Sequence, residues 1–320
     1  MNSIQLPPTL KKGDKVIILS PSSKIDKRYL KGATERLQSW GLIVELSEHA
    51  ASANGYYASS IKHRVEDLQK ALDDESAKAI LCSRGGYGAV HLVGKLDFTR
   101  FKLYPKWIIG FSDITILHNL MQHEGFASLH APMARHLTVE AANDFCTLAL
   151  KDILFGQFTI DRAKSVTPEK EGFSYTNAPH KLNHKGIATG TLRGGNLAVA
   201  YGLRGTPWDI PAEGTILFIE DVGERPHAVE RMMYNLKLGG VLEKLSGLII
   251  GQFTEYEENR SLGKELYGAL ADLVKEYDYP ICFGFDVGHV SRNLPLINGA
   301  NVTLEVTKNE VKLTFNINPE

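Results

Sequence analysis

Through the first half of the chain, short apolar runs alternate with amphipathic stretches. Residues 15–19 (K-V-I-I-L) are largely aliphatic, with a β-branched centre, and lie between Gly13 and Pro21, which predicts a buried strand. Over 29–40 the apolar positions Leu30, Ala33, Leu37 and Trp40 share one helical face, and Gly41 ends the pattern. Residues 42–46 predict a second strand, and Ser60 is placed to cap a helix with Ile61, Val65, Leu68 and Leu72 on its apolar face. Residues 79–82 and 107–110 predict two more strands. Beyond them, 114–121 reads as helix, 127–130 as strand and 141–154 as helix. Alternation of this kind predicts a mostly parallel sheet with helices on its faces.

The pattern weakens from Phe155 to Ile187, where Pro168, Pro179 and several charges fall without a period. The reading here is a connection between domains that carries short strands at most. Regular signals return as strands at 215–220 and 248–251, helices at 228–238 and 262–277, and a strand-like run at 281–285. The tail alternates over 301–306 and 311–315 about a turn at Lys308-Asn309, which predicts a hairpin. The expected class is α/β: an N-terminal domain over 1–160, a linker over 161–187, and a C-terminal α/β domain over 188–320 ending in the hairpin.

Composition narrows the function more than the fold. A length of 320 residues agrees with two domains at about 150 residues each. With 36 Lys plus Arg against 37 Asp plus Glu, the formal net charge is −1, so nothing argues for a nucleic-acid polymer or a membrane surface as partner. Cysteines at 82, 146 and 282 cannot build a disulfide framework, and no C-x-x-C pair suggests zinc. Residues 1–13 lack the apolar core of a signal peptide, and no apolar run approaches the roughly 20 residues of a membrane span. The expectation is a cytoplasmic protein that uses neither metal nor cofactor. Glycine is mildly over-represented at 29 residues, and many of these flank the candidate chemistry.

In Gly110-Phe111-Ser112-Asp113 an apolar strand runs into a serine, and a helical pattern begins one residue later. This is the layout of a nucleophile elbow, although the fifth position of G-x-S-x-G is here Ile114. The same serine in the same place also suits a plain helix N-cap. Arg84-Gly85-Gly86-Tyr87-Gly88 likewise follows an apolar strand; it fits a loop whose amides approach a ligand, or a simple glycine turn. Both segments are expected at C-terminal ends of parallel strands, where open α/β sheets bind ligands. A serine nucleophile needs a base and an orienting acid. His289 lies on a loop after an apolar strand, and Glu220 ends a strongly apolar strand, where a carboxylate requires a partner. In chain order this makes Ser112, Glu220, His289, the order also found in α/β-hydrolases. His180 and His184 are four apart, in a segment without helical period, which makes a weak case for a metal site.

The set R-G-G-Y-G, G-F-S-D, L-R-G-G-N-L, L-F-I-E-D-V and G-F-D-V-G-H, in this order, is similar to the LD-carboxypeptidases of serine peptidase family S66. That family includes muramoyltetrapeptide carboxypeptidases and microcin C7 self-immunity peptidases. The resemblance covers nearly the whole chain. It implies a two-domain α/β homodimer with the nucleophile on Ser112, the orienting acid on Glu220 and the base on His289, the site lying between the domains. It also implies an oxyanion hole from the backbone amides of Asp113 and Gly86. Arg84, Asn196 and Arg231 fit family motifs as well: Arg84 as a bidentate donor to a substrate carboxylate, the other two in structural roles. The segment S-R-N-L-P-L-I-N-G-A departs from the family pattern, with Ile297-Asn298 where a compact Pro-x-Gly is usual.

The activity so implied is release of a terminal D-alanine from a small murein tetrapeptide through an acyl-enzyme. Two other readings stand beside it. One is cleavage of a peptidyl-nucleotide, as in microcin immunity, with Trp208 as a base-stacking residue or a packed turn residue. The other is a non-catalytic protein that binds a small anion on the glycine loop, with Ser112 capping a helix.

Overall fold

The computed structural model describes residues 4–157, 166–169, 172–258 and 262–317. The chain divides into two compact units. Met1–Gln157 with Leu294–Asn298 form the first, and the remainder forms the second. The fold class meets the expectation of α/β, but the chain visits the first unit twice.

The first unit is built on a six-stranded sheet in the order Leu296–Asn298, Ser128–His130, Trp107–Gly110, Ala77–Cys82, Lys15–Leu19, Ile43–Leu46. All neighbours run parallel except the pair made by Leu296–Asn298 with Ser128–His130. Central strands pack on both faces and are accordingly continuous apolar runs: Val16, Ile17, Ile18 and Leu19 are all buried. The helices start where side-chain oxygens meet free amides. Asp26 caps Lys27–Ser39, Ser60 caps Ile61–Asp73, and Asp144 caps Phe145–Phe155, each accepting from an amide of the first turn. The Asp144 cap explains why the last of these begins later than residue 141. Ala134–Val139 is an additional short helix without a strong sequence signal.

The second unit carries an eight-stranded mixed sheet: Ile281–Phe283, Gly247–Thr254, Thr215–Val222, Gly186–Asn196, Asn301–Val306, Val311–Asn316, Gly172–Asn177, Val166–Glu169. The first four are parallel and the others antiparallel. Its core joins Leu217, Ile219, Leu248, Ile250 and Phe283 of the sheet to Met233 and Leu236 of helix Pro226–Leu238 and to Leu270 of helix Leu266–Val274. Each such side chain contributes roughly 1.5–3 kcal/mol by leaving water. The terminal hairpin alternates as its sequence predicts, burying Val302, Leu304 and Val306 beside Val311, Leu313 and Phe315.

Two expectations need correction. The stretch 161–187, read as linker, contains Gly172–Asn177, a strand paired with Val311–Asn316; residues 161–165 and 170–171 lie outside the described residues. Phe173 there stacks on Phe315 at 4.6 Å, a non-local contact that no local pattern signals. The range 188–320 is not wholly C-terminal domain either, because Leu296–Asn298 joins the first sheet. The residues that depart from the family pattern, Ile297 and Asn298, are those of this edge strand, and Asn298 Oδ1 accepts a 2.5 Å hydrogen bond from Gln122 Nε2. Among the described residues no helix is long and apolar enough to cross a membrane.

Lys106 shows how far burial is compensated in the first unit. Its ammonium is fully buried and donates to the carbonyls of Ala71, Leu72 and Asp74 at 3.2, 2.7 and 2.6 Å, closing the C-terminus of helix Ile61–Asp73. Lys106→Met removes all three donors and is expected to destabilise the fold by about 2–4 kcal/mol, read from the urea midpoint at unchanged m.

Candidate functional site

Five loops follow the C-terminal ends of the parallel strands in the first unit, and Ser112 stands on one of them. The strand Trp107–Gly110 passes through Phe111 into a 3₁₀ turn, Ser112–Ile114, and on into helix Thr115–His123. Ser112 has φ 65°, in the left-handed region that side chains other than glycine rarely occupy. No side-chain cap hydrogen bond is made at the start of the turn or of the helix, so the capping alternative for Ser112 is not what this geometry provides. The serine is half-buried, and Gly85 presses against it. A Cβ at Gly85 would lie 2.8 Å from Ser112 Cβ, 3.0 Å from Oγ and 3.1 Å from the Asp113 amide. Only a glycine permits that approach. Neither the Asp113 nor the Gly86 amide donates to another backbone carbonyl among the described residues.

The glycine loop is held from below by two buried charges. Arg64, 2% exposed, donates through Nη1 to the carbonyls of Pro21 (2.7 Å) and Gly88 (2.8 Å) and through Nε to Ser59. Its guanidinium also lies 5.1 Å from the Tyr57 ring centroid, a cation–π contact that helps offset burial. Asp113 turns its carboxylate away from the surface and accepts from the Ala89 amide at 2.8 Å. Burial pushes the Asp113 carboxyl above its usual range, while Ser22, the Ala89 amide and the Arg64 charge act against that shift. The main chain of Ser23 donates to Gly85 O at 3.2 Å, and Ser23 Oγ accepts from the Tyr87 amide at 3.1 Å. His118, buried beneath the turn, has its pKa lowered to about 4 by burial and is neutral. Gly110 O can only accept, so His118 Nε2 carries the proton (2.9 Å) and Nδ1 accepts from Ser128 Oγ (2.8 Å).

In the second unit Glu220 ends the buried part of strand Thr215–Val222 with no solvent exposure. Its Oε2 meets His289 Nδ1 at 2.7 Å, while Oε1 accepts no hydrogen bond among the described residues. Such a carboxylate is costly to bury unless a donor compensates it, and the imidazole N–H supplies that donor. The loop that delivers His289 is tightly determined. Gly288 has φ 131°, and a Cβ there would stand 2.9 Å from Glu220 Cβ and 3.1 Å from Oε2. Its amide donates to Asn293 Oδ1 at 3.0 Å, and Gln252 Nε2 donates to Gly284 O at 2.8 Å in the same loop. Burial works to lower the His289 pKa, but the Glu220 hydrogen bond and charge, with Asp221 and Glu255, outweigh it and hold the imidazole above its usual value. The pair therefore adds stability that is complete below the ordinary histidine range and is lost as pH rises through the higher folded pKa.

The structure thus brings Ser112, Asp113 and the Gly85-Gly86 turn together in the first unit, and Glu220 and His289 together in the second. Arg84 is exposed, with Nη1 on Lys24 O at 3.0 Å. Asn196 caps helix Leu197–Tyr201 and donates to Asp221 Oδ1 at 3.0 Å, a structural role; Arg231 is exposed on its helix. Asp221, buried next to Glu220, is pushed up to about 6 by burial against the Ala198 and Val222 amides that bond it. His180 accepts from the Leu182 amide and packs on Tyr267 and Phe283, so its ring serves the core of that unit. Trp208 is half-buried in a turn closed on Thr206. Sequence reasoning missed Arg64 and Asn293. An arginine on the apolar side of a helix is the signal that pointed to the first, whereas Asn293 carries none.

Residues 16–131 match the LD-carboxypeptidase N-terminal domain and residues 189–304 the LD-carboxypeptidase C-terminal domain. The chain is 32% identical to a "Probable murein peptide carboxypeptidase" of Bacillus subtilis over 94% of this chain and 92% of that protein. It is similar to the crystal structure of muramoyltetrapeptide carboxypeptidase from Oxalobacter formigenes, with a TM-score of 0.82 and 25% identity over 96% of this chain and 100% of the other. The microcin C7 self-immunity protein MccF, solved in complex with aspartyl sulfamoyl adenosine, shares the fold with a TM-score of 0.82 at 22% identity, covering 97% of this chain and 98% of the other.

The Glu220–His289 pair makes a direct prediction for spectroscopy. In Glu220→Gln the imidazole loses its charged partner, so an NMR titration of His289 is expected to midpoint at lower pH than in the wild type. An unmoved midpoint would show that the carboxylate does not govern the ring.

Proposed function

This chain belongs to the LD-carboxypeptidase family, a family of peptidases, and from that premise we propose that it is a serine carboxypeptidase releasing terminal D-alanine from a murein tetrapeptide. The observation that carries this reading is the left-handed backbone of Ser112, packed against Gly85 and unused as a helix cap. Strain of this kind costs of order 1–3 kcal/mol and persists where the surrounding structure enforces it, most often at reactive positions.

In the proposed reaction His289 Nε2 takes the hydroxyl proton as Ser112 Oγ attacks the carbonyl of the LD-peptide bond. Glu220 holds the Nδ1–H tautomer and stabilises the imidazolium that forms. The oxyanion is received by the amides of Asp113 and Gly86, each worth roughly 10²–10³ in rate at comparable sites. The imidazolium returns its proton to the amine of the departing D-alanine, and water, activated by the same ring, hydrolyses the acyl-enzyme. The reading needs no metal or cofactor, and it places the enzyme in the cytoplasm as a homodimer acting on small muropeptides in peptidoglycan recycling. A peptidyl-nucleotide amide would pass through the same steps, so relative turnover of the two substrate classes decides between them.

Ser112→Ala is expected to lower kcat/KM on an LD-tetrapeptide by at least about 10³-fold and to abolish fluorophosphonate labelling. Full hydrolysis by this variant would refute the serine mechanism. Because His289 must be neutral to act as base and its pKa is held high, wild-type kcat/KM is expected to fall on the acid side with an apparent pKa above the ordinary histidine value. Glu220→Gln is expected to move that limb to lower pH while lowering the plateau by about 10²–10⁴-fold, both read from one pH–rate series.

A further inference from the structure

We propose that Asn293 is a positioning residue for the peptidase reaction, setting the distance and angle at which His289 meets Glu220. The inference rests on the reading of His289 as base. Asn293 acts through Gly288. The Gly288 amide donates to Asn293 Oδ1 at 3.0 Å, and the bond is buried, with Asn293 3% exposed. Gly288 in turn stands against the acid. A Cβ there would lie 2.9 Å from Glu220 Cβ, 3.1 Å from its Oε2 and 3.0 Å from Gln252 O. A small shift of the Gly288 main chain is therefore felt on both sides, at the Glu220 carboxylate and at the ring one residue later.

Three observations separate this role from ordinary packing. The side chain is a costly choice for its place. A backbone amide only donates, so the atom it meets is Oδ1, and Asn293 Nδ2 stays buried without a hydrogen bond among the described residues. An unsatisfied buried donor opposes folding, so packing alone would favour an aliphatic side chain of the same size. Next, Glu220 Oε1 has no donor among the described residues either, which leaves His289 Nδ1 at 2.7 Å as the hydrogen bond that compensates the carboxylate. Slackening of the loop would strand a charge that has no solvent exposure. Finally, Asn293 is the last residue of the second unit before the chain enters the first at Leu294. An anchor at that point fixes the His289 loop within its own unit, ahead of the departing chain. The ion pair that also spans the loop, Arg292 Nε to Asp286 Oδ2 at 2.8 Å, is partly exposed and screened by solvent.

The test reads Asn293 variants by nitrogen NMR of the imidazole and by turnover of an LD-tetrapeptide ending in D-alanine. In the wild type the neutral ring is expected as the Nδ1–H tautomer. Asn293→Leu is expected to mix the two tautomers and to move the His289 midpoint down toward the ordinary histidine value, because the ring's hold on Glu220 loosens while Asp221 and Glu255 remain its other charged neighbours. In the same variant kcat is expected to fall by about 10- to 100-fold with KM changed by less than about threefold, since misplacing a reacting group costs rate more than binding. Asn293→Ala removes the same oxygen and gives the same readouts if the leucine variant does not fold. Asn293→Asp keeps an oxygen for the Gly288 amide and is expected to keep the wild-type tautomer. Wild-type kcat in the leucine or alanine variant would overturn the proposal. So would a loss of kcat with midpoint and tautomer unmoved, which marks a merely structural role, or mixed tautomers in Asn293→Asp. Undiminished hydrolysis by His289→Ala would instead overturn the reading beneath it.

Discussion

The arrangement around His289 in the second unit depends on a carboxylate that has been taken wholly out of water. Glu220 sits at the end of an apolar strand, and its cost there is met by one imidazole N–H at 2.7 Å. The requirement propagates outward. His289 must stay at that distance, so the preceding residue has to be a glycine whose missing side chain leaves room for Glu220. Asn293 then fastens the glycine amide, and Gln252 fastens the carbonyls earlier in the loop. One buried charge thus specifies a whole loop, and in return the loop fixes the tautomer and raises the proton affinity of the ring.

The first unit solves a related problem with the opposite sign. Arg64 is a buried cation whose donors are spent on backbone carbonyls from three different loops, which converts flexible strand-to-helix connections into a rigid surface. Ser112 needs that rigidity, because a left-handed serine relaxes unless its neighbours forbid it. Asp113 contributes by anchoring Ala89, so the residue beside the serine also holds the loop that faces it.

Much of this was legible in the sequence where the signal is local. The aliphatic run at 15–19, the Ser60 cap and the alternating tail each write their geometry in consecutive residues, and the structure agrees with them. The glycine loop, the strand-to-serine turn, and the acid and histidine after apolar strands were recognisable for the same reason. Illegible elements are those whose reason is non-local. Gly186–Asn196 is polar and rich in glycine, and it is a strand because partners lie on both sides of it. Gly172–Asn177 reads as linker until Phe173 meets Phe315.

By itself, then, the sequence determined the family and the α/β class and singled out Ser112, Glu220 and His289 as candidates, since those follow from residue type and short-range pattern. Tertiary structure decided the rest. Register and long-range pairing, not local propensity, sent Leu296–Asn298 back to the first sheet. Only the folded packing showed that Gly85 and Gly288 are close-approach positions and that Arg64 and Asn293 hold the loops. It also showed Ser112 left-handed rather than serving as a helix cap. The physical reason is common to all of these: each is a property of what a residue touches across the fold, and no window of sequence contains its partner.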